Sequence, residues 1–441
     1  MAVGRCAARR GRRSGPVGSA VLLWSVAALA APGVSGQRTV SLPAADRPLK
    51  PVLEEVYRVG ALDGEDWELF GDLNRVGFDA EGRIYVLDGD NQRVIVFDRD
   101  GSFVRQVGKA GDGPGELRMP TDMAVAPDGT VIVQDMGHQA FVVFAPDGSF
   151  VRNVRNPIQG GLMGGRIDHH PSGAVLGANT ALSFSATNGG RPALSTPPGA
   201  PVKLVPLDAE DPEVREVTTA WRPLPEPPEG GGTVGGSGFR VMRMARMRAF
   251  DPVIRTGVLP DGRVAVIDTV TYRVRLVDPA GGAETALARP LPVRAVTEAD
   301  RRAEKARRLE RLESGEGPRM RAVIRTSGPT GTGTQVVGGD AIRDMQRQMI
   351  ETLAFADEFP ALQDLRVDGA GRLWLLRTGA RVGEPGPIDV VDPSGRYIGT
   401  VPAGAMELPD AFGPDGLAAF IGKDDMDVPF VSVRRIGGIE R

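Results

Sequence analysis

The chain has 441 residues, 41% of them hydrophobic and only 5% aromatic, with 59 glycines and 36 prolines. That composition supports a large core broken by many turns, as in one big repeat fold, and excludes a single small domain. The formal charge is −3, and residues 1–36 carry five arginines and no acid, so the remainder carries −8. A generally basic surface for nucleic acid is therefore excluded.

Taken in order, MAVGRCAARRGRRSG brings Arg5, Arg9, Arg10, Arg12 and Arg13, followed by the apolar run VLLWSVAALA and then small residues. This is the layout of a secretory signal peptide over 1–36, with cleavage expected after Ala30 or Gly36. The apolar run is about half of the ~20 residues that a membrane helix needs. Cys6, the sole cysteine, precedes it, so residues 37–441 have no disulfides and no Asn-x-Ser/Thr sequon. Export to a periplasm or the outside is expected, with no transmembrane segment in the mature chain.

The mature chain opens with an apolar segment, PVLEEVYRVG (51–60), that belongs to no repeat. A block then runs RVGFDAEGRIYVLDGDNQRVIVFDRDGSFVRQV, with turn glycines Gly82 and Gly101. The next contains PTDMAVAPDGTVIVQDMGHQAFVVFAPDGSFV, with Gly129 and Gly148. Within each block the glycines are 19 apart, and from block to block they are 47 apart. Asp-Gly between apolar, β-branched runs is a hairpin signal. Each block thus reads as four strands, a to d, and a fixed four-strand period is the signature of a propeller blade.

The phase continues downstream. Block three spans GRIDHHPSGAVLGA, PVKLVPLD and REVTTAWR; block four is RTGVLPDGRVAVIDTVTYRVRLVDPAGGAETALA. Block five begins LRVDGAGRLWLLRTG, and block six, DAFGPDGLAAFIGKDDMDVPFVSVRRI, stops after three strands. Six blades are expected over 37–441, making an all-β, six-bladed β-propeller. The orphan segment 51–59 would supply the missing outer strand by pairing with 428–436 and close the ring, removing an exposed sheet edge. Two insertions break the rhythm. Residues 223–250 are Pro/Gly-rich, then basic; 296–358 hold two helical patterns, Thr297 onward and around Ile342, Met345, Met349 and Leu353, forming a helical cap between blades 4 and 5.

GDGPGELRMPTDMAVAPDGTVIVQDMGHQAFVVFAPDGSFV resembles the NHL-repeat family of six-bladed propellers, and Asp88-Gly89-Asp90-Asn91-Gln92-Arg93-Val94 is similar to that family's b–c loop. The resemblance implies the fold and little chemistry. Its members include binding scaffolds, amidating lyases and other exported proteins.

Aligning the blades on their turn glycines puts Arg75, Asp122, Arg166, Arg255, Asp364 and Pro409 at the start of strand a, the strand that lines a propeller's channel. Two residues deeper lie Gly77, Ala124, Asp168, Gly257, Arg366 and Ala411. The charged members, Arg75, Asp122, Arg166, Asp168, Arg255, Asp364 and Arg366, are the candidate ligand-binding residues. They form either a plug of mutual ion pairs or a pocket for an anionic or polar group, which arginine's forked donors suit. Both insertions join strand d to the next strand a, on the face where the b–c loops lie and where strand a begins, so a site is expected at a channel mouth on that face.

An enzymatic alternative, a lyase or lactonase with a metal in the channel, would draw on three histidines or on Asp122, Asp168 and Asp364. His169 and His170 are adjacent in a strand and face opposite ways, and His138 falls in a b–c loop. No serine nucleophile elbow occurs. The residues therefore assign no catalytic group, no metal ligand and no cofactor. They point to a binding or scaffolding module for a protein partner or a polar or anionic small molecule.

Overall fold

The computed structural model describes residues 38–158, 165–178, 184–186, 192–194, 199–221, 248–282, 284–314, 323–328, 331–336 and 339–439. The signal-peptide reading of 1–36 and most of the 223–250 insertion lie outside them. Six sheets follow one another in chain order, each built from strands a to d. Their innermost strands are Leu73–Phe78, Pro120–Val125, Ile167–His170, Arg255–Val258, Leu362–Val367 and Ala411–Phe412. These six pack around one axis, and the chain is an all-β, six-bladed propeller.

Strands b and c are buried along nearly their whole length, as in Val131–Asp135 and Ala140–Phe144. Both faces of each blade meet a neighbour, so the sequence shows continuous apolar runs instead of alternation. The core is divided into six clusters, one in each gap between adjacent blades. Tyr85, Leu87 and Val96 of blade 1 pack on Met123, Val131 and Val133 of blade 2, for example. The sixth cluster joins Val76 and Ile84 of blade 1 to Leu417 and Val431 of blade 6, so the ring is closed.

The Asp-Gly turns set the period. Ala126 and Thr130 pair across the a–b turn of blade 2, the Gly129 N–H returns to the Ala126 carbonyl at 2.9 Å, and Gly129 has φ of +91°. A Cβ there would also lie 2.7 Å from the Tyr85 hydroxyl, so the site takes glycine on both counts. At the other end of strand b an aspartate ties the b–c loop to the incoming chain. Asp135 accepts the backbone N–H groups of Arg118 (2.7 Å), Met119 (3.0 Å) and Gly137 (2.8 Å). Asp88 and Asp268 do the same for Gly71 and Trp221 in blades 1 and 4.

Val52–Val59 pairs antiparallel with Pro429–Gly437 as the outer strand of blade 6, with Leu53 opposite Ile436 and Val59 opposite Val431. Upstream of it lies a strand that the periodicity gives no sign of. Arg38–Ser41 runs parallel to Thr285–Ala288 as a fifth strand of blade 4. Between the two, Arg47 and Leu49 exchange backbone hydrogen bonds with Thr400 on the edge of blade 5. Residues 38–59 are thus a strap that covers the outer edges of three consecutive blades.

In the 296–358 insertion, α1 (Glu298–Glu313) starts at Thr297, whose hydroxyl accepts the Asp300 N–H while the Asp300 carboxylate accepts the Thr297 N–H. It packs on α2 (Gly339–Glu351), and Lys305 donates to the Glu351 carbonyl at 2.7 Å. The insertion leaves and rejoins the propeller at one point, where Ala295 bridges Glu358 and Val296 donates to the Asp357 carbonyl. Among the described residues, no helix is long and apolar enough to cross a membrane.

Candidate functional site

The central axis holds a cavity of about 840 Å³. Its inner end is a charged layer formed by Arg75, Arg166, Asp168, Arg366 and Asp410. From there the lining passes a collar of Phe78, Val125, Val258, Val367 and Phe412 and ends among the a–b turns, at Pro127, Pro171, Pro260 and Pro414. The cavity therefore opens on the face of the short turns. The sequence places a charged mouth on the opposite face; the structure puts those charges at the floor. Near the collar, glycines on strand a leave room that side chains of the neighbouring blade fill. A Cβ on Gly77 would meet Val125 at 2.9 Å, and one on Gly257 would meet Val367 at 2.7 Å.

Within the layer, Arg75 reaches across from blade 1 to blade 3, where Nη2 donates to Asp168 Oδ1 (2.9 Å) and to the Ile167 carbonyl (3.3 Å). Its Nε lies 3.8 Å from Asp122 Oδ1. Asp122 Oδ2 accepts the Ile167 N–H at 2.6 Å, tying blade 2 to blade 3. Arg166 Nε donates to the same Asp168 Oδ1 at 3.3 Å. On the other side of the axis, Asp364 Oδ1 is shared by Arg255 Nε (3.3 Å) and Arg366 Nη1. Asp122, Arg255 and Asp364 do not line the cavity.

Asp410 is the member that the alignment misses. Its Oδ2 accepts the Ile421 N–H at 2.8 Å. The repeat phase makes Pro409 and Ala411 the inward positions of blade 6, but the inner strand there has only two residues and does not hold the alternation. His169 aligns with Phe78 and Val125, which are collar positions, and it lines the cavity with them.

Burial and neighbours set the charges. Burial works against the Arg75 cation, but Asp122 and Asp168 outweigh it and hold its pKa above the ordinary value. Asp168 and Asp364 stay below the usual carboxylate range, since the nearby arginines outweigh the burial of each. Burial pushes Asp122 and Asp410 up, only partly offset by Arg75 for the first and by the Ile421 N–H for the second. Arg166 is pushed down to about 10, by burial first and then by repulsion from Arg75. The layer is thus short of negative charge around Arg166. Arg166 Nη1, Arg366 Nε and Asp168 Oδ2 are buried without a hydrogen-bond partner, and all three belong to side chains that line the cavity.

The histidines are dispersed. His138 Nδ1 is held by Asp135 Oδ2 at 2.9 Å, and His170 bonds to Ser172 Oγ (2.7 Å) and the Gly262 carbonyl (2.9 Å). Burial lowers the pKa of His169. Among the described residues, no group of three or more His, Cys, Asp or Glu is arranged to hold a metal.

A family model described as "6-bladed beta-propeller" matches residues 48–160. No curated protein matches the chain. Among solved structures, the chain is similar to a candidate exported protein from Bacteroides fragilis, at 13% identity over 90% of this chain and 99% of that one, with a TM-score of 0.47. Virginiamycin B lyase from Staphylococcus aureus matches at 9% identity over 85% and 86%, with a TM-score of 0.38. A gluconolactonase from Xanthomonas campestris matches at 12% identity over 90% and 97%, with a TM-score of 0.36. The six sheets and the closed ring make the chain a six-bladed β-propeller, and the family model of that description matches its residues 48–160.

Proposed function

We propose that this chain is an exported binding propeller whose central cavity takes a small molecule with an anionic group, seated against Arg166 and Arg366. The observation that carries this reading is the position of the unsatisfied atoms. Ion pairs that served only to plug the axis would consume their donors, as buried polar groups normally do. Buried side-chain atoms without a partner occur elsewhere in the described residues, as at Gln134 Nε2 and Arg273 Nε, but those of Arg166, Asp168 and Arg366 belong to side chains that border a space of ligand size. A carboxylate or phosphate would supply acceptors there and offset the burial and the repulsion from Arg75 that lower the Arg166 pKa. The carboxylates suit this role better than metal catalysis, because Asp122, Asp168 and Asp364 each face an arginine and do not converge.

Calorimetry and thermal shift with a panel of carboxylates and phosphates provide the test. Charge-assisted hydrogen bonds contribute about 1.5–3 kcal/mol each, so Arg166→Gln should weaken an anion roughly ten- to hundredfold while the circular dichroism spectrum is retained. Absence of binding by the unaltered protein, or binding indifferent to Arg166→Gln and Arg366→Gln, would refute the reading. The arginine-rich leader at 1–36 supports export; mass spectrometry of protein from its host should find a start near Ala31 or Gln37.

A further inference from the structure

The wall between the charged floor and the mouth says more about the ligand. We infer that the cavity is built for an amphiphilic anion: a carboxylate or phosphate head on an apolar body with few or no hydroxyls. This rests on the anion reading and goes beyond it by naming the ligand class.

The collar residues Phe78, Val125, Val258, Val367 and Phe412 are each partly exposed, and all border the same space. Apolar side chains gathered around a single water-accessible volume mark a binding surface. Four prolines, Pro127, Pro171, Pro260 and Pro414, continue that wall to the rim. They have no N–H to offer a ligand.

The polar groups along the wall are already engaged. Asp79 lines the cavity, but its carboxylate accepts the N–H groups of Glu81 and Arg83, the Arg83 guanidinium at 2.7 Å and the Tyr85 hydroxyl. Asp368, its counterpart in blade 5, accepts the N–H groups of Ala370 and Arg372, the Arg372 guanidinium at 2.6 Å and the Trp374 indole N–H at 2.9 Å. Neither has capacity for the hydroxyls of a sugar or a polyol. Thr256 is buried. Arg372, held by Asp368 through Nε, and Asp415, whose Oδ2 accepts Arg99 Nη2 at 2.7 Å, border the cavity at its turn end, and His169 is a polar group on the wall whose pKa is lowered by burial. A sugar acid or sugar phosphate would leave most of its hydroxyls against carbon and lose their hydration. An alkyl or aryl body would gain from the same wall.

The experiment is a homologous series measured by calorimetry: butanoate, hexanoate, octanoate and decanoate, with octyl phosphate to separate the two kinds of head. Gluconate, citrate and inorganic phosphate are the polar controls. Burial of a methylene in an apolar wall should raise affinity about fourfold per carbon until the cavity fills. Arg166→Gln should lower the whole series at least tenfold without changing that slope, and Val258→Thr, nearly isosteric, should flatten the slope while keeping the dependence on Arg166. If affinity is independent of chain length yet still lost with Arg166→Gln, or if gluconate or citrate equals octanoate, the amphiphile inference is overturned and the anion reading stands. Chain-length dependence that ignores Arg166→Gln would place the ligand elsewhere and overturn both. No binding by any member of the series or any control would do the same. The series on the unaltered protein decides the chain-length claim even if a variant does not fold.

Discussion

Arg289 is the residue on which the strap most depends, and its replacement has a calculable cost. Its guanidinium is fully buried just beyond the outer strand of blade 4. Nε donates to the Pro43 carbonyl at 2.7 Å, Nη2 to Asp46 Oδ1 at 2.6 Å, and Nη1 to Asp389 Oδ2 at 2.8 Å, while the group lies 4.7 Å over the Tyr397 ring. One side chain thus joins the strap, blade 4 and blade 5. In Arg289→Met, Asp389 keeps a hydrogen bond from Thr400 and has Arg377 only at 3.7 Å. Breaking a fully buried pair by removing one partner costs about 3–5 kcal/mol. Asp46 is substantially exposed, so its pairs contribute less, up to about 1 kcal/mol. With an unfolding entropy of about 2.1 cal/mol/K per residue, a propeller of roughly 400 residues (37–441) should lose roughly 4–6 °C in Tm. Calorimetry should show that loss, and Arg289→Lys should recover only part of it, because an ammonium cannot reproduce the fork. Arg289→Met with Asp389→Asn should be more stable than Arg289→Met alone, since the stranded charge is gone. A single variant within 1 °C of the original protein, or a double variant no better than the single, would refute the reasoning.

Other outcomes follow from the same geometry. Burial works against ionisation of Asp46, but Arg289 and Arg377 hold its pKa below the ordinary value; its contribution is therefore complete above its unfolded pKa and lost as pH falls through the folded one. Asp46→Asn should melt below the original protein at pH 7 and converge with it near pH 2. Deleting residues 37–60 exposes Pro429–Gly437 as an open edge, and size-exclusion chromatography should show association together with a fall in Tm. Asp410 borders the cavity beside Arg75, Arg166 and Arg366, so Asp410→Asn, which keeps an acceptor for the Ile421 N–H and removes a carboxylate that competes with the ligand, should tighten anion binding several-fold near neutral pH in the same calorimetric assay. Joining 296 to 358 by a short linker, in place of the helical insertion, should leave anion affinity unchanged, because the cavity opens on the other face.

The ring was legible because its period is written in turn chemistry: Gly82, Gly101, Gly129 and Gly148 all adopt positive φ at the predicted spacing. The closing strand was legible as an apolar segment without a blade. Arg38–Ser41 was not, because RTVS is short and polar and its parallel pairing with Thr285–Ala288 leaves no periodic trace. The charged positions on strand a follow from the two-residue alternation, which holds wherever that strand is regular. It fails at Asp410, where a two-residue strand leads directly into a 3₁₀ turn at Pro414–Gly416. The side chains that fill the space beside Gly77 and Gly257 come from the next blade, Val125 and Val367, and a distance between blades is not encoded in any local pattern.

The treatment of carboxylates across the molecule separates scaffold from site. Asp79, Asp135 and Asp368 are buried, and each is surrounded by backbone and side-chain donors that use up its oxygens. They fix turns and loops, and nothing about them asks for a ligand. Asp168 sits among more cations than any of these, yet one of its oxygens has no partner while the other is shared by Arg75 and Arg166. A chain that satisfies its turn aspartates so fully could have placed a further donor or acceptor on strand a; in four blades the aligned positions are glycine or alanine: Gly77, Ala124, Gly257 and Ala411. Leaving buried donors open beside like charges destabilises the unliganded fold, and such local departures concentrate where a structure has work beyond folding. That contrast supports the proposal of an anion seated on the charged floor, and the saturated turns are what hold that floor in place.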